Sequence, residues 1–559
     1  MRFRRLDIAL MLAVAGLPSA LHAAEPTGPA AAPQRAIYRG VSTAVKFDIS
    51  PPLRSMTPLP VAQNPDRGPE ERDNELAGQP GPQSPDAAVQ SQVGPGRIPS
   101  PLVSFDSLNN ISGVSPPDPV GDVGPNHYVA MSNLSFAIYN KSGTLLFGPA
   151  ANNTLWAGFG GACQNENSGD PIVLHDQIAD RWILTQFTSA GPTWFNCVAV
   201  STTSDPTGSY FRYAFTTGNN FPDYPKYGVW PDALYISTRE FLNGASFAGV
   251  GAYAVNRAQL IAGNPAPQVI SFLVPPGATP YNIGDGLVPT DMDGSDLPPA
   301  GSPNYFAGTM DLGGPYSAPQ DAISWWKFVA NFVTPASSSF TLTNTIPVAT
   351  FDSVFPCTPS SRECIPQPST TRKLDILSYR QRPLHRLAYR NFGTHETLVT
   401  NQSVEATTGI AGVRWYEIRS PNTTPTIHQQ GTYAPADGLH RWMGSIATDH
   451  SGNMALGFSV SSGTEFPGLR YTGRLVGDPL GTMPQGEGII VTGTGSQTGS
   501  ARWGDYSSMN VDPVDGCTFW YVNEYVPTTS TVGWRLRIGA FKFPECVPKP
   551  VELQRMSIE

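Results

Sequence analysis

His440-Arg441-Trp442-Met443-Gly444-Ser445, followed by Asp449-His450-Ser451-Gly452-Asn453, matches Arg502-Trp503-Gly504-Asp505-Tyr506-Ser507, followed by Asp512-Pro513-Val514-Asp515-Gly516. Each stretch starts with Arg-Trp and Gly, runs along an alternating segment to an Asp/Gly turn, and enters a second apolar segment, 454–460 or 518–522. A long chain that repeats one hairpin is a repeat architecture. A radial array of four-stranded sheets is the commonest all-β form of it.

Looser copies of this hairpin lie upstream. Residues 128–133 follow Pro125-Asn126-His127; 170–174 turn at 176–180 into 182–187; 223–229 turn at Pro231-Asp232 into 234–238. Residues 285–291 precede 305–311, and 374–379 turn at 381–383 into 386–391. Together these make about seven units, inside the range of propellers. The expectation is an all-β chain whose residues 102–547 form a β-propeller of about seven blades of antiparallel sheet, with a short tail at 548–559.

Composition agrees. The 559 residues include 55 Gly and 56 Pro, and only 14% are charged, which suits many short strands and leaves little for surface helices. No segment keeps a 3.6-residue apolar period, whereas 198–201, 325–329, 413–418 and 536–543 alternate or run apolar for the length of a strand.

The first residues read as an export signal. Arg2, Arg4 and Arg5 precede an apolar run at 8–17 and small residues at 19–24, so cleavage is expected after residue 23. That run is too short to span a bilayer, and no later one reaches 18 apolar residues. Residues 24–101 are rich in Pro, Gly and Gln and read as a disordered linker or pro-segment. Within them 36–49 could add a strand, and 102–108 just beyond could close the ring by pairing in the last blade. The mature protein is expected to be a secreted or periplasmic monomer. Six cysteines in an exported chain point to disulfides, and the neighbour pairings are Cys163 with Cys197, Cys357 with Cys364, and Cys517 with Cys546.

Function follows from where a hairpin puts its ends. The start of its first strand and the end of its second lie at one edge of the sheet, so these positions in every blade face one rim. First-strand starts carry Asp118, Asp122, Asp170, Asp223 with Lys226, Asp285, Arg441, and Arg502 with Asp505. Second-strand ends carry Asn133, Gln186, Arg239 with Glu240, Asp311, Arg390 with Asn391, and Asn523 with Glu524. Such a rim, with Trp442, Trp503 and Tyr506 beside it, offers hydrogen-bonding groups and aromatic faces to a sugar. The plainer reading is that these aspartates cap turns and that Arg-Trp-Gly is a packing signature.

Glycoside hydrolysis needs two carboxyls flanking the bond. Glu524 is the candidate acid/base with Asp505 as its partner, and Glu240 with Asp223 forms a second catalytic pair. Arg441, Arg502 and Arg239 would hold an anionic group, with Trp442, Trp503, Tyr506 and Asp170 completing substrate binding. Lyase chemistry stays open, with Tyr224, Tyr506, His127 or His440 as base and an Arg neutralising a uronate. Serine-hydrolase, phosphate-loop and zinc-protease motifs are missing; His395-Glu396 is followed by Thr397-Leu398-Val399. No catalytic metal or cofactor is expected. Asp291-Met292-Asp293-Gly294-Ser295-Asp296 has the acidic alternation of a calcium loop without its closing Glu, which leaves a structural Ca²⁺ or a plain turn. A net charge of −9 argues against a nucleic-acid partner.

Pro117-Asp118-Pro119-Val120-Gly121-Asp122-Val123-Gly124-Pro125-Asn126-His127-Tyr128 and Arg502-Trp503-Gly504-Asp505-Tyr506 resemble exported bacterial proteins that are similar to propellers and have no settled activity. The resemblance covers about 104–545 and implies fold rather than reaction. Sialidases, six-bladed propellers with an arginine cluster, are similar in fold only. Their Ser-x-Asp-x-Gly-x-Thr-Trp turn is reduced here to the Asp-to-Gly turn of 447–454. Two readings remain: a secreted carbohydrate-active enzyme, a glycoside hydrolase or polysaccharide lyase acting on a polysaccharide or glycoconjugate in the rim funnel, and a non-catalytic module binding a surface polysaccharide or protein.

Overall fold

Successive antiparallel hairpins account for nearly all the regular structure, as the turn-rich sequence requires. The computed structural model describes residues 36–61, 86–95, 97–276, 283–284, 286–314, 316, 318–353, 363–376 and 381–547, which lie in the unit Gln34–Glu559. The expected signal at 1–23, the tail at 548–559, Cys357 and Asp285 fall outside them. Among the described residues the α-helices are single turns, Ala162–Asn165 and Arg257–Ile261.

Sheets form in chain order. Val120–Val123 begins a four-stranded sheet that runs out to Leu145–Ala151, and Val173–Asp176 begins one that runs out to Tyr210–Gly218. The strand Asn220–Val229 begins a third, ending at Gln268–Val274. Val288–Met292 and Leu387–Asn391 each begin a ladder, and these two first strands pair in parallel, fusing the ladders into one nine-stranded sheet. His440–Thr448 and Ser508–Val511 begin the last two.

The first strands lie side by side in that order, and Ser508–Val511 returns to touch Val120–Val123, so they close a ring. This is the architecture of a β-propeller. Apart from the pair Val288–Met292 and Leu387–Asn391, a first strand has no ladder partner on its inner edge, and its free backbone groups need partners. Neighbouring first strands supply them with short side chains. Asp122 Oδ2 accepts from His175 N at 2.7 Å, and Asp291 Oδ1 from Val229 N at 2.9 Å. Ser508 Oγ accepts from Gly121 N and donates to Gly121 O, both at 2.8 Å, while Ser445 Oγ accepts from Met509 N at 2.9 Å.

Within the segment expected as a linker, three short strands join the sheets, the first two inside the 36–49 that could add a strand. Ile37–Thr43 pairs with Gln268–Val274, Lys46–Ile49 with Tyr210–Gly218, and Val89–Gln90 with Thr426–Tyr433. Each brings a charge to a buried partner. Arg39 meets Glu240 at 2.7 Å, Asp48 meets Arg212 at 2.6 Å, and Asp86 meets Arg414 at 2.8 Å. Val103–Asn109 pairs with Arg535–Phe541 and completes the last sheet with an N-terminal strand. Two disulfides match the expected pairs, Cys163–Cys197 and Cys517–Cys546. Cys364 is also disulfide-bonded.

One hairpin differs from expectation. Residues 374–391 do not form a single unit: Leu374–Asp375 pairs with Glu363–Ile365 in a separate two-stranded ribbon, and Leu387–Asn391 is itself a first strand, paired with Glu396–Thr407. Arg390 therefore sits on a first strand, and its Nε donates to Thr448 O at 2.8 Å.

Candidate active site

At the start of each first strand the chain must leave one sheet and enter the next, and a recurrent backbone conformation does this. Asp118, Asp170, Gln381 and Asp505, just ahead of their strands, have φ of 49°, 44°, 54° and 74°. Tyr224 (48°) and Met443 (52°) sit at bulges within theirs. Left-handed non-glycine residues are costly and cluster where function or tight geometry demands them. Gly504 also takes this region (φ 76°), and a Cβ there would lie 2.5 Å from Met443 Cγ, which explains the Gly of the repeated motif.

These turns bring residues distant in sequence to one centre around Lys226. Its Nζ lies 3.3 Å from the ring centroid of Tyr224 and 3.9 Å from that of Tyr506, and it donates to Pro225 O at 3.1 Å. The Arg382 guanidinium lies 3.6 Å from the other ring contact, Tyr224. Burial pushes the Lys226 ammonium down to about 7, against the pull of Asp170, Asp118 and Asp505 and with the push of Arg382. Tyr224 N donates to Asp170 Oδ2 at 3.2 Å and its hydroxyl to Asp505 O at 3.1 Å; the Tyr506 hydroxyl donates to Pro171 O at 2.9 Å. His385, with its ring 6.2 Å from that of Tyr506, is fully buried, and neither ring nitrogen finds a hydrogen-bond partner among the described residues. Burial, Lys226 and Arg386 hold its imidazole neutral, well below the usual range.

Beside this centre stand the two carboxyls that the motif suggests. Asp505 Oδ1 accepts from Arg502 Nη2 at 2.9 Å, and Arg502 Nε also faces Asp375 at 3.4 Å. Glu524 is fully buried; Oε1 accepts from Gly504 N at 2.5 Å, and Oε2 has no partner among the described residues. Burial, with the Asp505 charge adding to it, raises its carboxyl well above the usual carboxylate range. A carboxyl raised by burial next to one held by a guanidinium is an arrangement from which acid and base roles can be assigned.

Other expected site residues go elsewhere. Asp223 pairs with Arg239 at 3.1 Å, both buried. Glu240 is enclosed by donors: Arg39 at 2.8 and 2.7 Å, Asn220 at 2.5 Å, and the Tyr253 hydroxyl. Arg441 bridges Asp437 at 2.7 Å and Glu487 at 2.8 Å. Trp442 and Trp503 are fully buried and lie 5.8 Å apart, packed in the core beside the centre, where Lys226 and Glu524 are fully buried as well. The loop at 291–296 is not arranged as a calcium cradle: Asp291 and Asp293 turn their carboxylates to Arg386, at 2.9 and 2.7 Å. Lys226 stood among the rim residues without a role. Arg382 and His385 were missed because 381–383 read as a hairpin turn.

No family model and no curated protein matches this chain. Among solved structures it is similar to an α-L-arabinanase from Penicillium chrysogenum complexed with arabinobiose. That match has 11% identity, covers 80% of this chain and 100% of that one, and has a TM-score of 0.32. It is also similar to an α-L-arabinofuranosidase from Fusarium graminearum, with 9% identity, 81% and 99% coverage and a TM-score of 0.33. A protein of unknown function from Dyadobacter fermentans matches at 7% identity, 83% and 99% coverage and a TM-score of 0.22.

Proposed function

We propose that the chain is an exported seven-bladed propeller, the nine-stranded sheet counting as two blades, and that its mouth is the active centre of a carbohydrate-active enzyme. The observation that carries this reading is the fully buried Glu524, whose carboxyl burial raises well above the usual carboxylate range, beside the ion-paired Asp505. In a hydrolase, Glu524 donates its proton to the glycosidic oxygen as the bond to the anomeric carbon breaks, while Asp505 stabilises the positive charge or activates water. In a lyase, neutral Lys226 takes the proton alpha to a uronate carboxylate, Arg382 and Arg502 offset the charge that develops, and Glu524 protonates the leaving oxygen. Two disulfides and the basic, then apolar N-terminus support export.

The binding-module reading is favoured by a different observation. Asp505 and Asp223 are both already paired to arginines. A panel of polysaccharides assayed for reducing ends and for unsaturated products separates the two. The enzyme reading predicts turnover by wild type that falls at least about 100-fold in Glu524→Gln and in Asp505→Asn. Equal turnover by all three clears both residues of catalysis. No turnover by any supports the module.

A further inference from the structure

At the opposite ends of the first strands, a small cavity of about 70 Å³ lies between the ladder that begins at Leu387–Asn391 and the sheet that begins at His440–Thr448. Its one lining carboxylate is already satisfied. Glu417 accepts from Arg419 Nε at 2.6 Å, Thr397 Oγ1 at 3.0 Å and Gln429 Nε2 at 2.5 Å. Arg474, on the facing sheet, is 2% exposed; its Nη2 donates to Asp478 O at 2.7 Å, and its Nε has no partner among the described residues. The Asp478 carboxylate does not reach back to it, since it accepts from Leu475 N at 2.7 Å and Gln485 Nε2 at 2.8 Å. Thr448 Oγ1, 3% exposed on the same wall, is likewise without a partner.

Buried donors left without acceptors are filled by water or by a ligand. With Arg419 and Glu417 offsetting one another, Arg474 gives the cavity a surplus positive charge, and the imidazoles of His395 and His428 line it together with the apolar side chains of Phe392, Met454, Val476 and Leu480. We propose that this cavity is a small-oxyanion site in which a carboxylate or phosphate accepts from Arg474 Nε and Thr448 Oγ1 between the two histidines. The volume suits a group on the order of five heavy atoms. The site stands apart from Glu524 and Lys226, so its failure would leave the reading of the mouth untouched.

The groups facing the two histidines are Glu417, Arg419 and Arg474. Burial and Arg419 lower both imidazoles, with the His428 charge adding at His395 and Arg474 adding at His428, against the raising pull of Glu417; a bound anion favours their protonated forms, so binding strengthens as pH falls from 8 to 6. Calorimetric titration of the full chain with sodium acetate, sodium galacturonate and sodium phosphate at both pH values tests this. The expected result is saturable binding of at least one of these anions, tighter at pH 6 for the two carboxylates, whose own charge does not change over this range. It should weaken about tenfold or more in Thr448→Val, whose anion-free melting temperature matches wild type, and in Arg474→Gln. Acetate or galacturonate bound more tightly than phosphate assigns the site to a carboxylate group, which alone of the sugar fits the cavity; the reverse order assigns it to phosphate. No saturable binding at millimolar anion overturns the proposal, and so does equal binding by wild type and Thr448→Val.

Discussion

Lys226 is the residue in which fold and chemistry meet most directly. A fully buried ammonium between two tyrosine faces is held near 7, whereas in the unfolded chain it titrates near 10.4. Below the folded value both states hold the proton and the burial penalty is constant. Between about 7 and 10.4 the unfolded chain binds more protons than the native one, so this residue makes stability rise with pH. Urea midpoints measured at pH 6.5, 8 and 9.5 should therefore climb in wild type relative to Lys226→Met. Parallel curves for the two proteins would show that Lys226 titrates like an exposed lysine. Glu524 is the mirror case: its raised carboxyl favours folding at low pH and loses that contribution as pH rises through the folded value.

Elements are held in place by charges and hydroxyls that cross between strands. The edge segment around Asp86 shows this well: Asp86 accepts from Arg414 Nη1 at 2.8 Å and Thr432 Oγ1 at 2.5 Å, and neither ionic side chain is exposed. Removing one partner of a buried pair leaves the other charge uncompensated. Asp86→Ala should cost about 3–5 kcal/mol in chemical denaturation; a loss below about 1 kcal/mol would show that the segment only rests on the sheet. The repeated hairpins at 440–461 and 508–525 were legible because Asp/Gly turns and strand alternation are local signals. The ribbon at 363–375 was not, because the alternating 374–379 can pair on either side and only its tertiary partner decides. The strands at 37–43 and 46–49 fall inside the 36–49 that the sequence offers as a strand; which sheets these exposed edge strands join was not legible, because it is set by buried partners such as Glu240 and Arg212.

Across the whole molecule, closure of the ring is what turns scattered residues into a site. Asp118, Asp170, Lys226, Arg382 and Asp505 lie on different sheets, and they act on one another because every first strand starts at the same mouth. The rim was legible as a set of positions, since a hairpin fixes which of its ends face together. Which members turn inward was not: Arg441 and Glu240 find partners within their own sheets or on the leader strands, choices made by packing that no local pattern records. The central claim is that burial at this mouth keeps the Glu524 carboxyl protonated beside Asp505. Its most direct test is a carbon-13 titration of the glutamate carboxyls in wild type, with the Glu524 signal assigned by its loss in Glu524→Gln. The account predicts that this carboxyl stays protonated through neutral pH. Ionisation of Glu524 near 4.5 together with the exposed glutamates would contradict it.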